Sequence, residues 1–222
     1  MSITENLLKI KSKLPQNVTL VAVSKTKPLS DLLEAYDTGQ RIFGENKIQE
    51  MASKYDEMPK DIEWHMIGHI QRNKVKYMAP FVSLIHGVDS LRLLAEINKQ
   101  ALKNNRIIDC LLQVKIASEE SKFGLSENEV LNLLDSEEIK TFQNIKIIGL
   151  MGMATFTNNQ EQLQKEFEIL KFIFDNLTHL KSTNYNLKTL SMGMSDDYPI
   201  AIKNGSTMIR VGSSIFGKRA LA

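Results

Sequence analysis

Eight short apolar runs, separated by stretches with helical periodicity, constrain the fold of this chain more than any other feature. The runs are VTLVAV (18–23), RIFG (41–44), IEWHMIG (62–68), SLIHGV (83–88), IIDCLLQVKI (107–116), IKIIGLMGM (145–153), LKTLSMGM (187–194) and TMIRVG (207–212). Strands that alternate with helices indicate βαβ units and a parallel sheet. Because eight parallel strands can close on themselves, the pattern predicts an α/β fold of the (β/α)8 barrel type.

The segments between the runs fit the same architecture. LSDLLEAYDTG, DSLRLLAEINKQALKN and NNQEQLQKEFEILKFIFDNL have helical spacing, and Ser126 with Glu129 forms a capping-box pattern that predicts a helix start. An open doubly wound sheet is the alternative, but no GxGxxG turn follows the first strand. The 222 residues contain no linker, low-complexity tract or repeat. We therefore expect one domain, residues 1–222, folded as a single TIM barrel with an extra N-terminal helix.

Charge and cysteine content exclude several classes of function. A net charge of +2 does not indicate binding to nucleic acid or to an acidic membrane surface. Cys110 is the only cysteine, so no intrachain disulfide is expected, and its apolar surroundings predict burial. The N-terminus lacks the apolar core of a secretory signal, and no apolar run approaches the ~20 residues that span a bilayer. The expected location is the cytoplasm.

The C-terminal ends of the strands are where a barrel enzyme places its chemistry. Here they carry Lys25, Glu45 with Asn46, His65 with His69, Asp89, Lys115, Met153, Ser191–Ser195 and Arg210. Lys25 follows a very apolar strand, and a partly desolvated amine can act as a Schiff-base nucleophile, although a solvated loop lysine is the alternative. Arg210 lies among residues expected in the barrel wall, where its charge needs either a carboxylate such as Glu45 or a ligand.

The segment LSMGMSDDYPIAIKNGSTMIRVGSSIFG (190–217) predicts two loops that place small residues before helices. Ser195 precedes the first helix, and Gly212, Ser213 and Ser214 precede the second. Helix N-termini suit a phosphate, and barrels often bind one on the loops after strands seven and eight. Ordinary helix caps are the alternative, and Asp196 and Asp197 would repel a phosphate unless they point away. An amine, a phosphate cradle and an inward arginine are together the parts that pyridoxal phosphate requires.

The pair His65 and His69 does not predict a metal site. The zinc-protease pattern requires a helix with a glutamate beside the first histidine, whereas this pair falls in a predicted strand and turn. We expect no metal, and we expect core or pocket histidines instead. No GxSxG nucleophile elbow occurs.

Motifs along nearly the whole chain resemble those of the pyridoxal phosphate homeostasis proteins. They are VAVSKTKP (21–28), FGENKIQE (43–50), WHMIGHIQRNK (64–74), EESKFGL (119–125), GLMGMAT (149–155), LSMGMSDD and STMIRVGSSIFG. The resemblance implies a monomeric, alanine-racemase-like barrel of fold type III that binds pyridoxal 5′-phosphate (PLP).

The resemblance also implies roles for individual residues. Lys25 is similar to the lysine that forms a covalent aldimine with PLP, and Arg210 to the partner of the pyridine nitrogen. The implied phosphate contacts are Ser195, Gly212 and Ser213, and Asn46 resembles a residue near the ring. Lys115 departs from the family pattern, in which we expect an asparagine.

A non-catalytic role follows from the same resemblance. Alanine racemases add a C-terminal β-domain and take a tyrosine acid/base from a partner subunit, and we expect no second domain here. We therefore expect a protein that holds PLP and delivers it to PLP-dependent apo-enzymes. The alternative is a monodomain amino-acid racemase in which Tyr198 or His65 opposes Lys25. A phosphosugar-type barrel without PLP is a third class, and Lys203 is a candidate for a second PLP site.

Overall fold

Eight parallel strands close into a barrel in chain order, which confirms the predicted (β/α)8 architecture. The computed structural model describes residues 2–119, 123–180 and 182–217. The strands are β1 (Thr19–Val23), β2 (Ile42–Glu45), β3 (Glu63–Met66), β4 (Leu84–Val88), β5 (Ile108–Val114), β6 (Ile145–Gly152), β7 (Tyr185–Ser191) and β8 (Met208–Val211). Closure runs through β1 and β8, which pair from Thr19 opposite Met208 to Ala22 opposite Val211.

Helices cover the outside of the barrel. They are α1 (Ile3–Lys11), α2 (Leu29–Asp37), α3 (Ile48–Glu57), α4 (Val75–Met78), α5 (Leu91–Lys103), α6 (Glu127–Asp135), α7 (Glu137–Lys140), α8 (Gln160–Leu177), α9 (Tyr198–Lys203) and α10 (Ser213–Phe216). The predicted extra helix is α1, which begins with a capping box of Ser2 and Glu5. The predicted capping box of Ser126 and Glu129 starts α6. Among the described residues, no helix combines the length and apolar character needed to cross a membrane.

Side chains that alternate along the strands divide the core into two layers. The outer layer lies between sheet and helices and includes Cys110, which is buried as expected, so that burial raises the pKa of its thiol. The apolar layer inside the barrel consists of Val21, Leu84, Leu111, Met151 and Met208. Two positions further along β4, β5 and β8 stand His86, Gln113 and Arg210, all buried. The barrel interior therefore changes from apolar to polar towards the end of the barrel at which the strands terminate.

Candidate functional site

A cavity of about 410 Å³ opens at the polar end of the barrel, within the size range of small-molecule sites. Its lining includes the six residues that the family resemblance implies for PLP binding: Lys25, Asn46, Ser195, Arg210, Gly212 and Ser213. Strand alternation explains this convergence, because Lys25, Asn46 and Gly212 extend the inward-facing positions of β1, β2 and β8. Residues far apart in sequence thus line one cavity, because every second residue of a strand faces the inside of the barrel.

The loop that carries Lys25 is held by hydrogen bonds on both sides of that half-buried residue. Ser24 Oγ donates to Glu45 Oε1 at 2.6 Å, and the backbone N–H of Thr26 donates to Glu50 Oε1 at 2.6 Å. Thr26 has a φ of 63°, a left-handed conformation that is costly for a β-branched residue. The contacts with the two glutamates fix the backbone on either side of Lys25.

An ion cluster lies behind this loop and consists of buried Glu45 and Lys54 with partly exposed Glu50. Lys54 Nζ lies 2.8 Å from Glu45 Oε1, Glu50 Oε1 and the Ser24 carbonyl oxygen. Glu45 is fully buried and Lys54 is 6% exposed. Desolvation raises the pKa of Glu45, although the Lys54 ammonium and the Ser24 hydroxyl oppose this rise. The ionised form of the buried Glu45 carboxyl group therefore depends on the ammonium of Lys54 beside it.

The guanidinium of Arg210 points into the barrel and donates three hydrogen bonds. Nη1 donates to Ser191 O at 3.0 Å and to Ser191 Oγ at 2.7 Å, and Nη2 donates to Gly152 O at 3.0 Å. Burial lowers the pKa of Arg210 to about 10, so the residue keeps its charge at neutral pH. The expectation that Glu45 could be its partner is wrong. Glu45 shares the outward-facing side of β2 with Phe43, and it therefore points towards the helix layer.

Two buried histidines continue the polar layer away from Arg210. His86 Nδ1 lies 3.1 Å from Ser191 Oγ, and His86 Nε2 lies 3.1 Å from His65 Nδ1. Burial lowers the pKa of His65 from 6.5 to about 3 and that of His86 well below its ordinary value. Both rings are consequently neutral near pH 7. His65 is not among the described cavity-lining residues, so it is a core histidine.

Acidification is expected to destabilise the protein through these buried rings. Below pH 6.5 an unfolded histidine takes up a proton that His65 in the folded protein does not bind until about pH 3. Because the unfolded state then binds more protons, stability falls as pH drops, by about 2 kcal/mol for His65 at about pH 5. Urea unfolding at about pH 5 and about pH 7.5 measures this loss. His65→Gln should show a smaller difference between the two pH values than the wild type; an equal difference would contradict the assignment.

The two loops expected to hold an anion meet at the cavity. Ser195 Oγ accepts hydrogen bonds from the backbone N–H groups of Gly212 at 3.2 Å and Ser214 at 3.4 Å. A Cβ at Gly212 would lie only 3.1 Å from the Val23 carbonyl oxygen. Glycine therefore allows the chain to pass closely over the end of β1, with hydroxyl and backbone donors gathered on one side of the cavity.

The two aspartates beside these loops differ in position. Asp197 is buried, accepts a hydrogen bond from the Met194 N–H, and has a pKa raised by burial. Asp196 is exposed and lines the cavity. Neither residue lies in the first turn of α9, which begins at Tyr198. Of the two carboxylates, Asp197 is thus turned into its own loop, whereas Asp196 contributes negative charge at the cavity edge.

Several cavity residues escaped the sequence-based prediction. Gln113 is the clearest, because it follows Leu111 on the inward side of β5, and its Nε2 donates to Phe123 O at 2.8 Å. The ring of Phe123 stacks on His69 with centroids 5.2 Å apart, and Phe156 is 80% exposed. Counting positions by twos from Leu111 would have identified Gln113. The aromatic rings lie on loops, whose conformation alternation does not predict.

Other candidates lie outside the described lining of the cavity. Lys115 is exposed just beyond β5, and its backbone N–H donates to Leu125 O at 3.0 Å. Tyr198 packs against the outer apolar layer, and Lys203 ends α9. Among the residues that the structure describes, no group of three His, Cys, Asp or Glu side chains could hold a metal ion. Neither Tyr198 nor His65, the opposing bases of the racemase alternative, belongs to the described lining of the cavity.

Comparisons with known proteins agree with the barrel and identify its relatives. The alanine racemase N-terminal domain model matches residues 1–220. The pyridoxal phosphate homeostasis protein of Aquifex aeolicus is 39% identical over 90% of this chain and 86% of its own length. The corresponding protein of Haemophilus influenzae is 37% identical over 97% of this chain and 91% of its own length.

Solved structures show the same fold. PipY of Synechococcus elongatus PCC7942, with PLP bound, superposes with a TM-score of 0.87 at 34% identity, covering 97% of this chain and 100% of PipY. Alanine racemase from E. faecalis superposes with a TM-score of 0.77 at 16% identity, covering 99% of this chain and 60% of that enzyme, and so shares the fold. The family-model match over residues 1–220 and the relatives at 39% and 37% identity show that the chain belongs to the pyridoxal phosphate homeostasis protein family, whose barrel is that of the alanine racemase N-terminal domain.

Proposed function

We propose that this protein binds PLP in the cavity at the C-terminal end of the barrel and functions in PLP homeostasis by holding and delivering the cofactor. The observation that carries the proposal is the lining of that cavity. A buried, charged arginine (Arg210) and a half-buried lysine (Lys25) share it with the small residues of the last two loops. PipY, 34% identical and alike over nearly the whole chain, is known with PLP bound, which supports the same ligand here.

Lys25 is the proposed anchor, through a Schiff base between its amine and the aldehyde of PLP. Bound PLP supplies that aldehyde together with an electron-accepting ring. The hydrogen bonds to Ser24 and Thr26 fix the loop at both neighbours of Lys25. A fixed backbone reduces the conformational entropy that the lysine loses when it forms the covalent bond.

The remaining proposed contacts fall into two groups, one at the phosphate of the cofactor and one at its ring. Ser195, Gly212 and Ser213 would hold the phosphate with hydroxyl and backbone donors, and Asn46 would lie near the ring. Arg210 would donate to the pyridine nitrogen, since a guanidinium has no acceptor and remains protonated. A nitrogen that accepts this hydrogen bond stays unprotonated, which makes the ring a weaker electron sink than a protonated pyridinium.

The two opposing bases named from the sequence do not support the racemase alternative. A racemase requires a second group opposite the lysine, and neither Tyr198 nor His65 belongs to the described cavity lining. The names of the relatives also indicate homeostasis rather than catalysis. We extend the proposal to a single-domain, monomeric, cytoplasmic protein with PLP-dependent apo-enzymes as recipients.

PLP-loaded protein should transfer cofactor without steady amino-acid turnover. The test incubates loaded protein with L- and D-alanine, monitored by chiral chromatography, and in parallel with an apo-aminotransferase whose activity reports received PLP. We expect recovery of the aminotransferase and no sustained racemisation. Steady turnover that disappears in Lys25→Ala would replace the carrier role with the racemase alternative, and failure to reactivate the acceptor would remove the delivery role.

A further inference from the structure

A chain of hydrogen bonds crosses the barrel interior from Arg210 to two buried histidines, His86 and His65. Neither histidine belongs to the described lining of the cavity. The chain runs from Arg210 Nη1 to Ser191 Oγ, from Ser191 Oγ to His86 Nδ1, and from His86 Nε2 to His65 Nδ1. Ser191 and His86 are fully buried, and His65 is 3% exposed. The residues come from β8, β7, β4 and β3, so closure of the barrel is what brings them together.

The chemistry of the first donor fixes the direction of the chain. A guanidinium only donates, so Ser191 Oγ must accept from Arg210 Nη1. Among the described hydrogen bonds, His86 Nδ1 is the other partner of this hydroxyl, so we assign it as the acceptor of the hydrogen bond that the hydroxyl donates. With Nδ1 as acceptor, the neutral ring of His86 carries its proton on Nε2 and donates it to His65 Nδ1. Both histidines are then Nε2–H tautomers.

We propose that Ser191, His86 and His65 are positioning residues for Arg210, and that this one-way chain holds the guanidinium in the orientation that faces the cavity. The hydroxyl proton of Ser191 is directed to His86, which leaves the serine oxygen oriented to accept from Nη1. Together with Ser191 O and Gly152 O, the chain occupies three of the five guanidinium N–H bonds. For the other two, no acceptor is found among the described hydrogen bonds, and the proposed ligand would accept from this group.

The functional part of this inference rests on the proposed PLP site, because the held guanidinium is the proposed partner of the pyridine nitrogen. The tautomer assignment does not, since it follows from the protein's own contacts. The two parts can therefore fail separately. A wild-type protein that bound no PLP would overturn the proposed function, whereas different tautomers would overturn the positioning chain even in a protein that binds PLP.

The first experiment is two-bond ¹H–¹⁵N NMR spectroscopy of ¹⁵N-histidine-labelled protein without cofactor. The protein has four histidines. The spectra of His69→Gln and His179→Gln would identify the signals of the two histidines that do not belong to the hydrogen-bond chain. We expect His65 and His86 to show protonated Nε2 and unprotonated Nδ1. A Nδ1–H tautomer or an imidazolium at His86 would overturn the proposal.

The second experiment removes the link with the smallest possible change, Ser191→Ala. We expect the His86 tautomer to lose its bias towards Nε2–H and the dissociation constant for PLP to rise about tenfold, while borohydride still traps PLP on Lys25. The control is Cys110→Ala, which also trims a fully buried side chain but lies in the outer layer. Unchanged tautomer and affinity in Ser191→Ala would overturn the chain, and if this variant does not fold, the wild-type spectrum decides alone.

Discussion

Replacing Lys25 with alanine is expected to abolish covalent PLP attachment and to weaken PLP retention by more than about tenfold, or about 1.4 kcal/mol. The reason is that the amine of Lys25 is the proposed partner of the aldehyde, whereas the phosphate contacts alone form a weaker, reversible site. The absorbance spectrum after incubation with PLP shows whether a protonated imine forms. Borohydride reduction followed by peptide mass mapping then shows which lysine carries the cofactor.

The matched control for this prediction is Lys115→Ala. Lys115 also follows a barrel strand, but it is exposed and lies outside the described cavity lining. Its loss should leave the imine band and the mapped adduct unchanged. A colourless wild-type protein without adduct would contradict the PLP site. Equal noncovalent binding of phosphorylated ligands by wild type and Lys25→Ala would instead support the phosphosugar alternative.

Lys54→Met is expected to lower the free energy of unfolding by about 3–5 kcal/mol. The substitution preserves an apolar stem of similar length but removes the ammonium, which leaves the fully buried carboxylate of Glu45 without its cation. Backbone support for the Lys25 loop is lost at the same time, because Lys54 Nζ also contacts the Ser24 carbonyl oxygen. Urea unfolding followed by circular dichroism measures the change.

Two further variants separate charge burial from a general effect of lysine loss. Lys140→Met removes an ion pair with Glu137 on the exposed surface, and little change in stability is expected there. The double variant Lys54→Met/Glu45→Leu removes the stranded charge as well and should recover part of the lost stability. If Lys54→Met is no more destabilising than Lys140→Met, the cluster is not the stabilising element described.

Much of the barrel was predictable because strand burial leaves a direct mark on sequence. Each of the eight apolar runs overlaps one strand of the barrel. Strand β2 ends one residue beyond its run, at Glu45, and β7 begins earlier than its run, at Tyr185 rather than at residue 187. The first two residues of β7 are half-buried Tyr185 and exposed, polar Asn186, which a search for apolar runs does not detect. The start of α6 was predictable for a different reason, since the capping box of Ser126 and Glu129 is a local hydrogen-bond pattern.

The convergence of cavity residues was predictable only in part. Lys25, Asn46, Arg210 and Gly212 follow from strand ends and small-residue loops in the sequence. Gln113 was overlooked, although the same alternation places it inside the barrel beyond Leu111. The rim rings of Phe123 and Phe156 depend on loop conformations that no strand periodicity specifies.

What the sequence by itself determined was the approximate position of each strand, because a buried strand leaves a short apolar run whose side chains alternate every two residues. What only the tertiary structure decided was the partner of each buried charge. Glu45 pairs with Lys54 of α3, and Arg210 bonds to Ser191 of β7. These partnerships depend on the register of neighbouring strands and on how a helix packs against the sheet. Both are set by the closed barrel as a whole, so no local pattern in the chain specifies them.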